Sequence, residues 1–218
     1  MYYSQVGQDQ WVEENIFKGL KEGVFVDVGA HDGKTFSNSL YFEEQHNWQG
    51  ICIEPNPLVF PQLAACRRAY CVNTGLGDKN DSLEFWKVNG YSEMLSGFGE
   101  FYNDEHIERI HREIDQYGGS LEKLSIPVQT LSHLLKQYNF SKIDLLSIDV
   151  EGAELAVLKG IDFDKTSISV IVAECNYEDE KLAVREYLEA KNYKYVKFIS
   201  TDLVFVSKDS SYIDLFDV

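Results

Sequence analysis

The chain has 218 residues, with 36 aspartates and glutamates against 20 lysines and arginines and a formal charge of −16. A field that acidic repels phosphate backbones and anionic membrane surfaces, so neither nucleic acid nor membrane is the expected partner. No run is long and apolar enough to span a bilayer, and Met1-Tyr2-Tyr3-Ser4-Gln5 has no signal-peptide pattern. The expectation is one α/β domain over residues 1–218, held in the cytoplasm. Cys52, Cys66, Cys71 and Cys175 are scattered with no C-x-x-C pairing and read as reduced thiols among apolar neighbours.

SQVGQD opens the chain, and Trp11, Val12, Ile16, Phe17 and Leu20 then recur at helical spacing. Val24 to Val28 is an apolar strand interrupted only by Asp27, and it runs into the turn Gly29-Ala30-His31-Asp32-Gly33. A strand delivered to a glycine turn is how open α/β sheets build small-molecule sites. The two glycines allow a ligand close to the backbone. A helix is predicted soon after Gly33, its polar start facing the site and Asn38 placed to donate to a ligand carboxylate. The next strand, in GICIEPNP, ends on Glu54, where doubly wound folds hold a ribose by its hydroxyls. Nicotinamide dinucleotide is therefore one candidate ligand. Against it, the turn lacks the G-x-G-x-x-G spacing that admits a pyrophosphate, and Asp27 would repel one. The same charge attracts the ammonium and sulfonium of S-adenosylmethionine.

Pro55 and Pro57 open a predicted helix through Leu63 and Cys66, and residues 70–77 form a third strand with its loop. Leu83 to Val88 alternates as a half-exposed strand added to the sheet. In residues 103–117, Ile107, Ile110, Ile114 and Tyr117 mark one helix face, with Glu105, Glu108, Arg109, Arg112 and Glu113 on the other. His106 and His111 do not share a face, which argues against metal binding by that pair. The insert 96–120 reads either as a lid over the substrate or as a docked surface helix with solvated charges.

Ile143 to Val150 is a strand with Asp149 and Glu151 at its end, and Gly152 turns the chain into a helix over 153–159. Two acids that close oppose each other's ionisation, as in many working sites, and a solvated acidic turn is the alternative. The strand Ile168 to Cys175 carries Glu174 near its tip and is followed by Asn176. Asp149, Glu174 and Asn176 make an oxygen-ligand set that could hold Mg²⁺ or Mn²⁺. A helix over 181–190 and the runs 193–199 and 202–207, read as an antiparallel hairpin, complete the chain.

VDVGAHDG, IEPNP, LLSIDVEGAELAVLKG and the opening SQVGQD together resemble the FkbM family of S-adenosylmethionine-dependent methyltransferases, from about Ser4 to Ser207. The resemblance implies a Rossmann-like methyltransferase fold: a mostly parallel doubly wound sheet with a C-terminal antiparallel hairpin and a helical insert. It also implies O-methylation of a small-molecule or glycan acceptor, either a sugar hydroxyl or a hydroxyl of a non-sugar metabolite. On the matching positions, Asp27, Gly29, Ala30, His31, Gly33, Asn38, Glu54, Asn56 and Asp149 would line the cofactor. Gly77 and Asp78 would lie against the adenine, unless Asp78 only begins the DKND turn. Ser4, Gln5, Gln8 and Asp9 would close over the pocket or, equally, cap the first helix. Asp149 and Glu151 would face the methyl group and act on the acceptor. A nicotinamide-dependent oxidoreductase and a catalytically silent binding protein remain the rival readings. The segment 96–120 matches none of these motifs and leaves the acceptor open.

Overall fold

The computed structural model describes residues 1–216. The strands are β1 (Val24–Val28), β2 (Gln49–Ile53), β3 (Tyr70–Val72), β4 (Gly75–Leu76), β5 (Asp81–Gly90), β6 (Gly97–Phe98), β7 (Gly119–Gln129), β8 (Lys142–Ile148), β9 (Ser167–Glu174), β10 (Tyr193–Ile199) and β11 (Asp202–Ser207). The helices are α1 (Gln8–Val12), α2 (Leu40–His46), α3 (Phe60–Cys66), α4 (Asp104–Tyr117), α5 (Leu131–Gln137), α6 (Glu154–Lys159) and α7 (Glu178–Ala190).

Seven strands pair in the order β10-β11-β9-β8-β1-β2-β3. β3, β2, β1, β8 and β9 are parallel, and β11 enters antiparallel to both β9 and β10, so the expected hairpin closes one edge. Parallel strands must be covered on both faces, and their near-continuous apolar content follows from that. Val26, Val28, Ile51, Ile53, Leu146, Ile148 and Ile171 pack on one face against Leu131, Leu134, Val157, Leu158, Val184 and Leu188 from α5, α6 and α7. On the other face, Phe25, Cys52, Leu145, Val170 and Val204 meet Val12 of α1, Phe42 of α2 and Leu63 of α3, together with Ile16 and Phe17. Strand order reverses between β1 and β8, and the crevice outside the strand tips at such a point is where ligands bind in open α/β sheets.

Residues 75–129 depart from the sequence reading. The run 70–77 does not stay in one sheet: β3 joins the main sheet, while β4 starts a separate four-stranded sheet, β4-β7-β5-β6. β5, expected as an addition to the main sheet, instead pairs along its whole length with β7. The inserted helix α4 sits between those two strands in sequence and docks on them through Ile110, which packs with Val88 and Leu95. The helix predicted just after Gly33 also starts later, at Leu40, because Lys34 and Thr35 turn back to Asp32 while Ser37 and Ser39 hold Asp27. Cys66 is exposed rather than packed in the core, and all four cysteines are free thiols.

Candidate active site

A cavity of about 340 Å³ opens at the tips of β1, β2, β8 and β9 and is roofed by the second sheet, a size within the range of about 300–1,000 Å³ usual for small-molecule sites. Its floor is made of Asp27, Gly29, Ala30, His31, Asn38, Glu54, Asn56, Asp149 and Glu151. Of the expected cofactor residues, Gly33, Gly77 and Asp78 are not part of the lining. Gly33 serves packing: a Cβ there would lie 2.7 Å from Leu63 and 2.8 Å from Arg67, at a φ of 83°. Gly77 bonds Gln129 through its N–H, and its carbonyl lies so close to Gly160 that a Cβ on Gly160 would fall 2.2 Å from it. Thr74 and Leu76 reach the cavity from this stretch instead.

Gly29 explains how the two most specific motifs meet. Its N–H and that of Ala30 both donate to the Ile53 carbonyl, at 2.9 and 3.0 Å, tying the turn to β2. The Asp149 N–H donates to the Val28 carbonyl at 2.9 Å, tying it to β8. The backbone is left-handed at Gly29, with φ 84°, and a Cβ would fall 1.7 Å from the Asp149 carbonyl oxygen. Only glycine lets these loops cross.

Asp27 does not act as the isolated charge that the sequence suggests. Its Oδ2 accepts hydrogen bonds from the Ser39 hydroxyl and, at 3.5 Å, the Ser37 hydroxyl. The buried Arg67 guanidinium lies 3.7 Å from it and also pairs with Glu43 at 3.2 Å. Burial raises the Asp27 carboxyl, while Arg67 and the serines pull it back down. Its charge is thus compensated from below, and the uncompensated acids lie elsewhere.

Those acids are Asp149, Glu151 and Glu174, whose carboxylate oxygens lie within 4.8 Å of one another. Asp149 is exposed to the cavity it helps to line. Burial raises its carboxyl far above the ordinary range, and Glu174 and Glu151 push it further in the same direction. Burial and then Glu174 and Glu154 likewise raise Glu151, against a downward pull from Arg109. Glu151 sits in a left-handed turn at φ 55°, and its Oε2 has no hydrogen-bond partner. Glu154 fixes that turn by accepting from the Val150 and Gly152 N–H groups, at 3.1 and 3.2 Å. Asn176, expected as a ligand, donates its Nδ2 to Glu174 Oε2 at 3.0 Å. It orients the acid, and Glu151 completes the set.

Glu54 accepts from the His31 N–H at 2.9 Å and the Asn56 N–H at 2.7 Å, a rigid carboxylate at the tip of β2. Burial pushes it up to about 7, against those two N–H groups and with help from Glu93 and Asp27. Asn38 donates its Nδ2 to the Ser147 hydroxyl at 3.0 Å, the reverse of the expected arrangement in which that group faces the ligand. Its Oδ1 is buried with no partner. Both ring nitrogens of His31 are also without hydrogen bonds, with Nε2 3.7 Å from Glu93 Oε1. Buried polar atoms left unpaired in a cavity mark where a ligand supplies the partner.

The opening motif divides its work. The Ser4 hydroxyl donates to Asp9 Oδ1 at 2.5 Å, a local tie onto the first turn of α1, whose N-cap is Gly7. Gln8 donates to Asp202 at 2.8 Å across the start of β11, and Gln5 and Val6 line the cavity. From residues 75–129 come Phe85, Glu93 to Phe98, and Arg109, a half-exposed side chain that also reaches the cavity. His106 is buried, stacks on Tyr102 with centroids 4.1 Å apart, and brings Nδ1 to 3.8 Å from Glu151.

These buried acids predict how stability varies with pH. Burial is the main reason that Glu54 rises from 4.5 to about 7, Glu154 from 4.5 to about 8 and Asp202 from 3.8 to about 6. A carboxyl raised in the folded chain lends stability that is full below its unfolded pKa and lost as pH climbs through the folded value. The ligand-free melting temperature should therefore fall by roughly 5 °C or more between pH 5 and pH 8.5. Calorimetric scans at low salt would check this, and a flat or rising profile would contradict the burial of these acids.

Compared with known proteins, residues 27–195 match the methyltransferase FkbM domain. Methyltransferase sdnD of Sordaria araneosa is 28% identical over 158 residues, which cover 63% of this chain and 60% of that protein. Methyltransferase 1 of Beauveria bassiana (strain ARSEF 2860) is 24% identical over 188 residues, covering 79% of this chain and 72% of that one. The crystal structure of Methyltransferase FkbM from Methylobacillus flagellatus KT superposes with a TM-score of 0.54 at 13% identity, covering 85% of this chain and 43% of that one. This last likeness is one of fold.

Proposed function

The chain belongs to the FkbM methyltransferase domain family, and from that premise we propose that it methylates a hydroxyl of a sugar or glycan with S-adenosylmethionine as the donor. The observation that carries the reading is the pairing, in one cavity, of a rigid carboxylate at Glu54 with an acid cluster at Asp149, Glu151 and Glu174. The residues suit the donor. Glu54 can accept from two ribose hydroxyls, the unpartnered Asn38 Oδ1 can accept from the methionine ammonium, and the acid cluster matches a sulfonium in charge.

When bound, the donor supplies an electrophilic methyl on a positively charged sulfur. In the transfer the sulfur–methyl bond would break as an oxygen–methyl bond forms, and a carboxylate of the cluster would take the hydroxyl proton. Asp149 is the acid that opens into the cavity, and its raised pKa makes it the stronger base when ionised. Glu174, steadied by Asn176, and Glu151, steadied through its turn by Glu154, hold the acceptor hydroxyl. The roof of Phe85, Leu95 and Phe98 keeps water from the reacting atoms. The three acids also match the hard-oxygen donor set of Mg²⁺ or Mn²⁺, which would lower the hydroxyl's pKa.

Calorimetric titration with S-adenosylhomocysteine, with NADH in parallel and with each run repeated in Mg²⁺ and Mn²⁺, tests the reading. Binding of the first alone supports it, and binding of NADH alone would replace it with a dehydrogenase. The affinity should also depend on pH. With Glu54 titrating at about 7 in the free protein, a ligand that needs its ionised form should bind about tenfold more weakly at pH 6 than at pH 8. Glu54→Gln should flatten that dependence, and a wild-type affinity indifferent to pH would remove Glu54 from the ribose site.

A further inference from the structure

Every charged group on the cavity floor is acidic apart from the Arg67 guanidinium bound beneath Asp27, yet the roof contributes one cation. Among the described residues, Arg109 is the one arginine or lysine in the cavity lining. Its place is built. α4 starts with Asn103 accepting from the His106 N–H at 2.8 Å, and Ile110, the next residue after Arg109, is fully buried against Val88 and Leu95. That burial sets the rotation of the helix. Glu113, one turn on, accepts from Arg109 Nε at 2.9 Å, and is itself held by the Ser92 hydroxyl at 2.7 Å.

An arginine tied by Nε keeps both terminal nitrogens available in a fixed plane, the geometry that binds carboxylate or phosphate by two parallel hydrogen bonds. Those terminal nitrogens carry no hydrogen bond among the described residues. Nor does Arg109 pair with the acids across the cavity, since its ion pair among the described residues is with Glu113. The guanidinium pulls Glu151 down from a distance but makes no contact ion pair with the cluster, so its terminal N–H groups are left to a ligand. Beyond Glu113, its electrostatic neighbours are Glu151, just past β8, and Tyr177, just past β9, whereas Glu54, where the ribose is assigned, follows β2, and β1 and β8 lie between β2 and β9 in the sheet.

We propose that the acceptor is an anionic hydroxy compound, an acidic sugar or a sugar phosphate, whose anion is held by Arg109 while its hydroxyl meets Asp149. This rests on the donor-site reading given above, and it names the acceptor class for that same site. Such an acceptor would bridge the positive roof and the negative floor, fixing which hydroxyl is presented. It also explains how so acidic a cavity admits an anion, because one preorganised guanidinium supplies the matching charge where it is needed.

The test is calorimetric titration of the S-adenosylhomocysteine-loaded protein with glucuronate, galacturonate and glucose phosphate, against glucose and galactose. Wild type should bind at least one anionic probe about tenfold or more tighter than its neutral counterpart. Arg109→Gln should lose that preference while keeping its affinity for S-adenosylhomocysteine, which also shows that the variant is folded. Equal binding of neutral and anionic probes, failure of every anionic probe to bind, or a preference that survives in Arg109→Gln would each overturn the proposal. Should S-adenosylhomocysteine itself not bind wild type, the donor-site reading fails. The same probes would then be titrated onto the free protein, where an Arg109-dependent anion preference supports the anion site and its absence overturns it.

Discussion

Gly29→Ala is expected to be the most damaging single substitution in the chain, lowering stability by about 4 kcal/mol or more. Two costs add. Alanine is disfavoured by roughly 1–2 kcal/mol in the left-handed region, and Gly29 has a φ of 84°. The larger cost is steric: the new methyl would lie 1.7 Å from the Asp149 carbonyl oxygen, which is main chain and cannot swing away. Relief requires separating the tips of β1 and β8, and with them the bond from the Asp149 N–H to the Val28 carbonyl. Urea unfolding would measure the loss, and titration of any folded remainder would show S-adenosylhomocysteine binding lost as well. A stability within about 1 kcal/mol of wild type would mean that the two loops do not cross as described.

Asp149→Ala should reduce methyl transfer by roughly 10²–10⁴-fold, the range for removing a general base. Its side chain opens into the cavity beside Glu151 and Glu174, whereas Glu54 and Asn38, proposed to hold the cofactor, lie on other strands or loops. Affinity for S-adenosylhomocysteine should thus change by no more than about threefold. Asp149→Asn separates charge from shape: as the base is lost in both, it should be nearly as inactive as the alanine variant. If it transfers methyl groups at the wild-type rate, proton removal belongs to Glu151 or Glu174. Folding is not at stake in either variant, because losing the carboxylate relieves its repulsion with Glu174 and Glu151.

The strand tips were the most readable part of this chain. Asp27, Glu54 and Asp149 each interrupt or terminate a run of β-branched residues, and an acid that ends a buried strand must face either solvent or a site. The terminal hairpin was equally readable, its two runs at 193–199 and 202–207 matching β10 and β11. The second sheet was not. β7 reads GSLEKLSIPVQ, with Pro127 inside it and most side chains at least partly exposed, so its pattern is weak and its pairing with β5 and β4 makes it a strand. Break points within 70–77 were hidden for the same reason, since two short strands leave no periodicity to count.

In the site, composition misled where charge was buried. Arg67 sits in an ordinary-looking ACRR sequence, and nothing local shows that it lies under Asp27 at 3.7 Å. Glu154 was visible in IDVEGAE, yet its role as the acceptor for two turn N–H groups depends on the left-handed Glu151 and Gly152 that precede it. Arg109 shared a helix face with four other charged residues, and its selection from that set is made by the docking of Ile110.

The most direct test is the structure of the complex with S-adenosylhomocysteine. The account predicts both ribose hydroxyls on the Glu54 carboxylate, the amino group within hydrogen-bond reach of Asn38 Oδ1, and the sulfur turned toward Asp149. A ligand bound with its ribose away from Glu54, or with its sulfur directed away from the Asp149, Glu151 and Glu174 cluster, would contradict it.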